Sequence, residues 1–197
     1  MRVAVVSLKG GVGKTTTTVY LAAVAVRGRR PVTVIDADPQ GSAAVWLEEW
    51  PIPGVEVLEA PSERLLRKAL SQDDERSVWI VDTPPVSERL TALALQEADA
   101  VVIPTRIGGV EGHRLLSTLD LVPDGVPRGV VVTSARTWTR DFRETLDGWS
   151  GQNVPVWGIV PERVGIAAGP EGELHGDGLE AAADIWQRVR RAAARRR

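Results

Sequence analysis

KGGVGKTT, residues Lys9–Thr16, is the stretch that decides the fold of this 197-residue chain. An apolar run typical of a strand precedes it at Arg2–Leu8, and a helix-like segment follows it at Thr15–Arg27. Glycines at such a junction let the backbone curl so that several N–H groups point inward, and the helix amino terminus adds partial positive charge. The stretch therefore predicts a phosphate-binding loop, with Lys14 on the outer phosphates and the Thr15 hydroxyl on Mg²⁺.

Short apolar runs recur along the rest of the chain and predict strands. Most are apolar on both faces, as expected for parallel strands covered by helices on each side. The runs are Arg2–Leu8, Pro31–Asp36, Val55–Leu58, Val78–Asp82, Ala100–Pro104, Gly129–Thr133 and Val154–Val160.

Helical patterns lie between these runs. They are Thr15–Arg27, Ser62–Leu70, Ser87–Gln96, Val110–Leu121 and Leu179–Ala194, whereas the glycine-rich Gly165–Gly178 predicts an irregular loop. The alternation of strand and helix predicts an α/β fold, a doubly wound, mostly parallel twisted sheet with helices on both faces. We expect a single domain over residues 1–197.

The composition excludes several kinds of site. Without cysteine, the chain cannot form a disulfide, a cysteine zinc site, a thiol nucleophile or a cysteine-ligated iron–sulfur cluster. The longest apolar run, Val19–Val26, is far shorter than the roughly 20 residues that a membrane span needs. A net charge of −2 gives no general attraction to nucleic acid. We therefore expect a globular cytoplasmic protein.

Lysine is scarce in this chain. Only Lys9, Lys14 and Lys68 are lysines among the 24 basic residues. Two of the three flank the glycines of the phosphate-binding loop, which indicates that they are used for chemistry.

Two acidic motifs follow predicted strands. DADPQG begins at Asp36, after the second strand, and DTPP begins at Asp82, after the fourth. In open α/β sheets, ligands bind at the carboxyl ends of the strands, and a carboxylate there commonly holds Mg²⁺ through water. From its residues alone, DADPQG could equally be a helix-capping turn with Asp38 as the cap.

KGGVGKTT resembles the deviant Walker A motif of the ParA/MinD family. It departs from the general P-loop pattern at Leu8, where that pattern has glycine. DADPQG is similar to the first switch of that family, and DTPP is similar to the second. The resemblance covers Met1 to about Pro85 with specific motifs. It implies a P-loop NTPase fold and an ATP hydrolase that is slow and stimulated by a partner.

The resemblance also implies roles for individual residues. Lys9 would reach the partner subunit's nucleotide across a dimer interface, and Lys14 and Asp38 would complete the catalytic set, with Asp38 orienting the attacking water. The implied nucleotide-binding residues are Lys9, Gly10, Gly11, Val12, Gly13, Lys14, Thr15, Thr16, Thr133 and Pro161. The implied Mg²⁺ site comprises Thr15, Asp36 and Asp82, and the implied switch residues are Asp38, Pro39, Gln40, Asp82, Thr83, Pro84 and Pro85.

The base-binding residues are less well defined than the phosphate-binding ones. Thr133 stands where many relatives carry an asparagine that contacts the base, and Pro161 lies in a loop, Ile159–Arg163, that resembles the one beside adenine. A hydroxyl presents a single oxygen to the base, whereas an amide presents an acceptor oxygen and a separate donor nitrogen. ATP is expected from the resemblance, and guanine stays open as an alternative.

The predicted C-terminal helix, residues 179–197, ends in a basic cluster. Its arginines are Arg188, Arg190, Arg191, Arg195, Arg196 and Arg197, and no acid follows Asp184. One interpretation is contact with DNA phosphates without reading sequence. Another is a solvated helix end whose charges complement the helix dipole. A membrane-surface helix is disfavoured because the last turns offer mostly alanine.

The resemblance implies a nucleotide-switched homodimer. It would bind ATP and Mg²⁺, bind DNA nonspecifically on the nucleoid, and segregate plasmid or chromosome DNA with a ParB-like or small centromere-binding adaptor. Two alternatives stay open: a ParA-like positioning ATPase for another cargo, and a nucleotide-gated DNA-binding regulator with little turnover.

Overall fold

The computed structural model describes residues 1–72, 76–85, 87–108, 111–169 and 174–196. The strands are β1 (Arg2–Val5), β2 (Val32–Asp36), β3 (Val55–Glu59), β4 (Val78–Asp82), β5 (Ala100–Thr105), β6 (Arg128–Ala135) and β7 (Val156–Pro161). The helices are α1 (Lys14–Ala25), α2 (Ser42–Glu49), α3 (Glu63–Leu70), α4 (Glu88–Glu97), α5 (Glu111–Leu121), α6 (Arg140–Gly151), α7 (Val164–Ala167) and α8 (Gly176–Ala194), and a 3₁₀ turn at Val26–Gly28 extends α1.

The strands form one sheet in the order β3-β2-β4-β1-β5-β6-β7, and every pair in it is parallel. All strands therefore end at the same edge, here called the carboxyl edge, and begin at the opposite amino edge. β1 lies between β4 and β5, where the chain changes its direction of travel across the sheet. A crevice opens outside such a switch point, so the loop after β1 is placed where this fold binds ligands.

Helices cover both faces of the sheet and bury two cores. The α1, α2 and α8 helices pack on one face around residues such as Leu21 and Ile185. On the other face, α3, α4, α5 and α6 pack around residues such as Leu66 and Ile103. This arrangement confirms the predicted doubly wound α/β fold, because buried strands need an apolar cover on each side.

All seven predicted strands are present, with ends shifted by up to three residues. β1 is the most shortened, since it ends at Val5 rather than Leu8. The Val6 N–H donates to the Val102 carbonyl at 2.9 Å, which extends the pairing by one residue before the chain turns into the loop.

Three helices were not predicted: α2, α6 and the short α7, which is described below. α2 has eight residues, and its first N–H groups are capped by a side chain from outside the helix, as described below. α6 buries only Phe142 and Trp149, seven residues apart, which leaves too few apolar positions for a recognisable stripe.

The prediction of an irregular loop at Gly165–Gly178 is partly wrong. α7 occupies part of this segment, and α8 starts at Gly176, three residues before the predicted start. His175 caps α8 because its Nδ1 accepts a hydrogen bond from the Asp177 N–H at 3.2 Å. Residues 170–173 lie outside the described part of the chain, and so does Val110, from which α5 was predicted to start.

α8 is the longest of these helices, with 19 residues. Neither α8 nor any other helix in the described ranges has both the length and the apolar character that crossing a membrane requires.

Candidate functional site

The glycine loop joins β1 to α1 at the carboxyl edge and is called the P-loop here (Lys9–Thr16). Gly11 and Gly13 have φ values of 72° and 83°, a left-handed conformation that other residues rarely adopt. Gly13 is also the N-cap residue of α1, so the loop passes directly into the helix. The positive end of the α1 dipole therefore lies in the loop, as phosphate binding requires.

The Lys14 side chain is buried within the P-loop. Its Nζ donates to the Lys9 carbonyl at 3.1 Å, which curls the side chain back over the loop. Burial lowers the pKa of Lys14, whereas the carboxylates of Asp82 and Asp38 raise it. Those two acids therefore help to keep a desolvated ammonium charged, ready to meet phosphate oxygens.

Asp82 ends β4 directly beneath the first turn of α1. It is 1% exposed, and its carboxylate accepts hydrogen bonds from the Thr15 hydroxyl at 2.7 Å and the Thr18 hydroxyl at 3.3 Å. Burial raises the pKa of Asp82 to about 7, and the neighbouring Asp36 adds to the rise. Burial destabilises the charged form of this carboxylate, and a cation bound beside it would stabilise that form.

These oxygens suit Mg²⁺. The Thr15 hydroxyl and the Asp82 carboxylate are oxygen donors of the kind that Mg²⁺ prefers, and they already lie within 2.7 Å of each other. Of the three residues predicted for the metal, Thr15 and Asp82 therefore fit Mg²⁺, whereas both carboxylate oxygens of Asp36 already accept backbone N–H groups.

Asp36 ends β2 next to Asp82 in the sheet register, and backbone N–H groups surround it. Its Oδ2 accepts from the Ala43 and Ala44 N–H groups at 2.8 and 2.9 Å, and its Oδ1 accepts from the Asp38 N–H at 3.1 Å. Burial raises the pKa of Asp36, and these N–H groups lower it. Asp36 thus caps α2 from a distance and fixes the turn that carries Asp38.

Asp38 lies half-buried on this turn, above Asp36. Its Oδ1 accepts from the Gln40 N–H at 3.0 Å, and the Gly41 N–H donates to its carbonyl at 2.9 Å. DADPQG is therefore a turn before a helix, as the capping alternative expected, but the cap is Asp36. The carboxylate of Asp38 is left at the rim of the site, where it faces the space above the P-loop.

A cavity of about 770 Å³ opens beside the P-loop and is large enough for a nucleotide. The structure brings most of the predicted residues to its walls: Gly10, Gly11, Gly13, Lys14, Thr15, Thr16, Asp38, Gln40, Pro85, Thr133 and Pro161. The predicted residues that do not line it are Lys9, Val12, Asp36, Pro39, Asp82, Thr83 and Pro84. Of these, Asp36, Asp82 and Thr83 are buried one layer below, and the Thr83 hydroxyl donates to the Val5 carbonyl at 2.8 Å.

Several wall residues were not predicted. Among them are Tyr20, Trp46, Arg106 and Ser134. Glu162 and Arg163, from the predicted Ile159–Arg163 loop, line the cavity as well. Glu162 forms an ion pair with Arg136 at 2.7 Å, and Arg163 forms one with Asp177 at 2.6 Å, which connects the loop after β7 to the start of α8. Arg106 and Ser134 lie at the ends of β5 and β6, so the rule that ligands bind at the carboxyl edge could have identified both.

The arginine-rich end of α8 lies at the amino edge, across the sheet from the P-loop. Arg188 donates to the Val156 carbonyl at 3.1 Å, at the start of β7, and Arg196 donates to the Ala98 carbonyl, just before β5. Arg190 and Arg191 line a second cavity of about 580 Å³ with Arg30. Arg195 is exposed, and Arg197 lies outside the described residues.

The fold adds a second basic segment to this end of the molecule. Arg27, Arg29 and Arg30 follow α1, and Gly28 and Arg30 line the same cavity as Arg190 and Arg191. The two segments are about 160 residues apart in the sequence, so local patterns could not show that they meet.

The chain is similar to known proteins over most of its length. Residues 3–175 match the family described as the CobQ/CobB/MinD/ParA nucleotide binding domain. The chromosome-partitioning ATPase Soj of Thermus thermophilus is 32% identical in an alignment that covers 86% of this chain and 84% of that protein.

Two further similarities bear on the cargo and on the fold. The maintenance of carboxysome distribution protein A of Gloeobacter kilaueensis is 38% identical over 135 residues, which cover 66% of this chain and 62% of that protein. The septum site-determining protein MinD of Pyrococcus horikoshii, solved in complex with Mg-ADP, superimposes with a TM-score of 0.77 at 18% identity over 99% of this chain and 98% of that one. The last similarity supports the fold.

Proposed function

Because the chain belongs to the CobQ/CobB/MinD/ParA nucleotide-binding family, we propose that it is an ATP hydrolase whose ATP-bound form is a homodimer. The observation that carries the proposal is the convergence of Lys14, Thr15 and Asp38 on one cavity, with Asp82 beneath them. The cavity thus joins a cation for phosphates, oxygens for Mg²⁺ and a half-buried carboxylate at the rim.

Each residue has a defined task in hydrolysis. Lys14 and the α1 amino terminus hold the phosphates, and Thr15 and Asp82 would hold Mg²⁺, which would supply positive charge against the phosphate oxygens. Asp38 orients the water that attacks the γ-phosphorus, because its carboxylate is fixed by the Gln40 N–H on one oxygen and faces the cavity. The bond from the γ-phosphorus to the β–γ bridging oxygen then breaks, giving ADP and phosphate.

Lys9 has a different task because its side chain is not part of the cavity wall. We place it across a dimer interface, on the phosphates of the partner subunit. The second switch, Thr83–Pro85, follows Asp82 and contacts β1 through the Thr83 hydroxyl, so a change at the γ-phosphate would be passed to the sheet. Slow turnover that a partner protein accelerates is consistent with a site completed only in the dimer.

The output of the switch is the placement of DNA or of another cargo. The similarity to Soj favours segregation of plasmid or chromosome DNA with a ParB-like or small centromere-binding adaptor. The similarity to a carboxysome distribution protein favours positioning of another cargo by the same switch. In both cases the protein acts in the cytoplasm on the nucleoid, as one domain over residues 1–197.

We assign DNA contact to the arginine end, defined here as Arg27, Arg29, Arg30 and the α8 arginines Arg188, Arg190, Arg191, Arg195, Arg196 and Arg197. Guanidinium groups on a surface bind phosphates without reading bases. This end is at the amino edge, so two subunits joined at their carboxyl edges would carry their arginine ends on the outside. The bound nucleotide, at the carboxyl edge, would therefore make no direct contact with the arginines that bind DNA.

The corresponding prediction concerns the double variant Arg190→Ala/Arg191→Ala. Its affinity for unrelated duplexes is expected to fall in the ATP, ADP and nucleotide-free states by a similar factor. The slope of log K against log[salt] is expected to become shallower by about 2, because two phosphate contacts are lost. Equilibrium binding across a salt series, with each nucleotide and with none, measures both quantities.

The matched control is Arg64→Ala/Arg89→Ala, which removes two exposed arginines from α3 and α4 on the other face of the sheet. It is expected to keep the wild-type salt slope. An equal loss in both double variants would contradict the assignment to the arginine end. Turnover that is negligible with and without DNA would favour the nucleotide-gated regulator over the cycling ATPase.

A further inference from the structure

The Thr133 side chain lies beneath the P-loop rather than pointing freely into the base region. Its hydroxyl is 2.7 Å from the Val12 carbonyl and 3.0 Å from the Thr105 carbonyl, and the residue is buried. Its Cγ2 is 3.5 Å from the position that a Cβ would take on Gly13. Thr133 thus touches the P-loop at two consecutive residues, about 120 residues away in the sequence.

An irregularity in β6 accounts for this orientation. The pairing of β6 with β7 shifts register between Val132 and Ala135, and Ser134 has a φ of 48°. A bulge of this kind re-aims the side chains around it, and bulges are common beside functional sites. Both Thr133 and Ser134 border the cavity, but the Thr133 hydroxyl is directed to protein carbonyls.

The contact with Val12 has a consequence for the next N–H group. A trans peptide is planar, so its C=O and N–H point in opposite directions, and the described residues contain no cis peptide. The Val12 carbonyl points down to Thr133. The Gly13 N–H, which belongs to the same peptide, therefore points away from Thr133.

We propose that Thr133 is a positioning residue that fixes the Val12–Gly13 peptide so that the Gly13 N–H faces the phosphates, and that it does not read the base. The hydroxyl has one hydrogen, and both acceptors within reach are backbone carbonyls of the protein. α1 has no side-chain cap at its amino terminus, so this contact is the side-chain support of the loop at Val12. The inference rests on the proposed nucleotide site.

The test compares Thr133→Val, which keeps the shape and removes the hydroxyl, with Thr133→Ser, which keeps the hydroxyl. Dissociation constants are measured for ATP, ADP, GTP and pyrophosphate, the last of which has no base. Thr133→Val is expected to weaken all four by a common factor of about five to ten, as for one lost hydrogen bond. The ratio of ATP to GTP affinity stays at the wild-type value, KM for ATP rises by the same factor with little change in kcat, and Thr133→Ser restores binding.

Thr91→Val is the matched control, because Thr91 is also a buried threonine but lies on α4, away from the cavity. It is expected to keep wild-type affinities even where it lowers the unfolding temperature as much as Thr133→Val does. A loss confined to ATP and ADP, with pyrophosphate unaffected, or a changed ATP to GTP ratio, would overturn the inference and assign base contact to Thr133. Failure of the wild-type protein to bind any of the four would overturn the proposed function and this inference with it.

Discussion

Asp82→Asn is expected to lower Mg²⁺-dependent ATP hydrolysis by roughly a hundredfold or more. The substitution keeps the shape of the side chain and removes the charge that lies 2.7 Å from the Thr15 hydroxyl. Within the described ranges, the two nearest acids do not replace it, because backbone N–H groups occupy Asp36 and Asp38 is at the rim. Phosphate release at saturating ATP and Mg²⁺ measures the effect.

The same variant is expected to be more stable than the wild-type protein at pH 8 when nucleotide and Mg²⁺ are absent. Folding raises the pKa of Asp82 from its ordinary 3.8 to about 7, so the native state holds a proton that the unfolded chain has lost. Stability from this proton is complete below about pH 4 and is lost as the pH rises through about 7, at up to about 1.4 kcal/mol per pH unit. Asparagine is neutral throughout and avoids the loss.

Thermal unfolding at pH 5 and pH 8 measures this difference. The unfolding temperature of Asp82→Asn is expected to exceed the wild-type value by about 5 °C or more at pH 8, with a smaller gap at pH 5. Asp184→Asn, at an exposed position on α8, is the control and should follow the wild-type profile. Hydrolysis within twofold of wild type, or a parallel pH profile, would refute the role given to Asp82.

Lys14→Ala is expected to weaken ATP binding by roughly a hundredfold or more and to abolish measurable hydrolysis. The ammonium is buried in the P-loop, so water cannot simply replace it against the phosphates. Its loss also removes a positive charge that lowers the pKa of Asp82, so the pKa of this carboxyl is expected to rise further in the empty site. Equilibrium dialysis with ATP at low salt measures the affinity.

Lys68→Ala is a natural control, since Lys68 is an exposed residue of α3 and the only lysine of the chain outside the P-loop. It is expected to bind and hydrolyse ATP as the wild-type protein does. ATP affinity of Lys14→Ala within threefold of wild type would show that the phosphates lie elsewhere.

The sequence predicted the sheet because buried parallel strands carry a local signal. Runs such as Val78–Asp82 are apolar on both faces, which is the pattern of a short strand covered by helices on each side. α2 and α6 carried no such signal. α2 is stabilised by Asp36, which lies six residues before it, and α6 buries two residues in three turns.

The residues of the site also fall into those that the sequence could predict and those that it could not. Lys14 and Thr15 could be predicted because they lie between a strand and a helix in a glycine loop, and Asp82 because it ends a buried strand at the same edge of the sheet. Thr133 could be placed near the loop but not oriented, because its direction depends on the bulge in β6 and on the Val12 carbonyl. The approach of Arg30 to Arg190 depends on the packing of α1 against α8, which a single sequence does not reveal.

The account depends most on ATP joining two subunits through Lys9. Sedimentation of the protein with a non-hydrolysable ATP analogue and Mg²⁺ tests this directly, with ADP as the comparison. The wild-type protein is expected to sediment at twice its 21.3 kDa mass with the analogue. Lys9→Ala should stay at 21.3 kDa while it still binds the analogue. Equal dimerisation of the two proteins, or a wild-type monomer saturated with the analogue, would contradict the account.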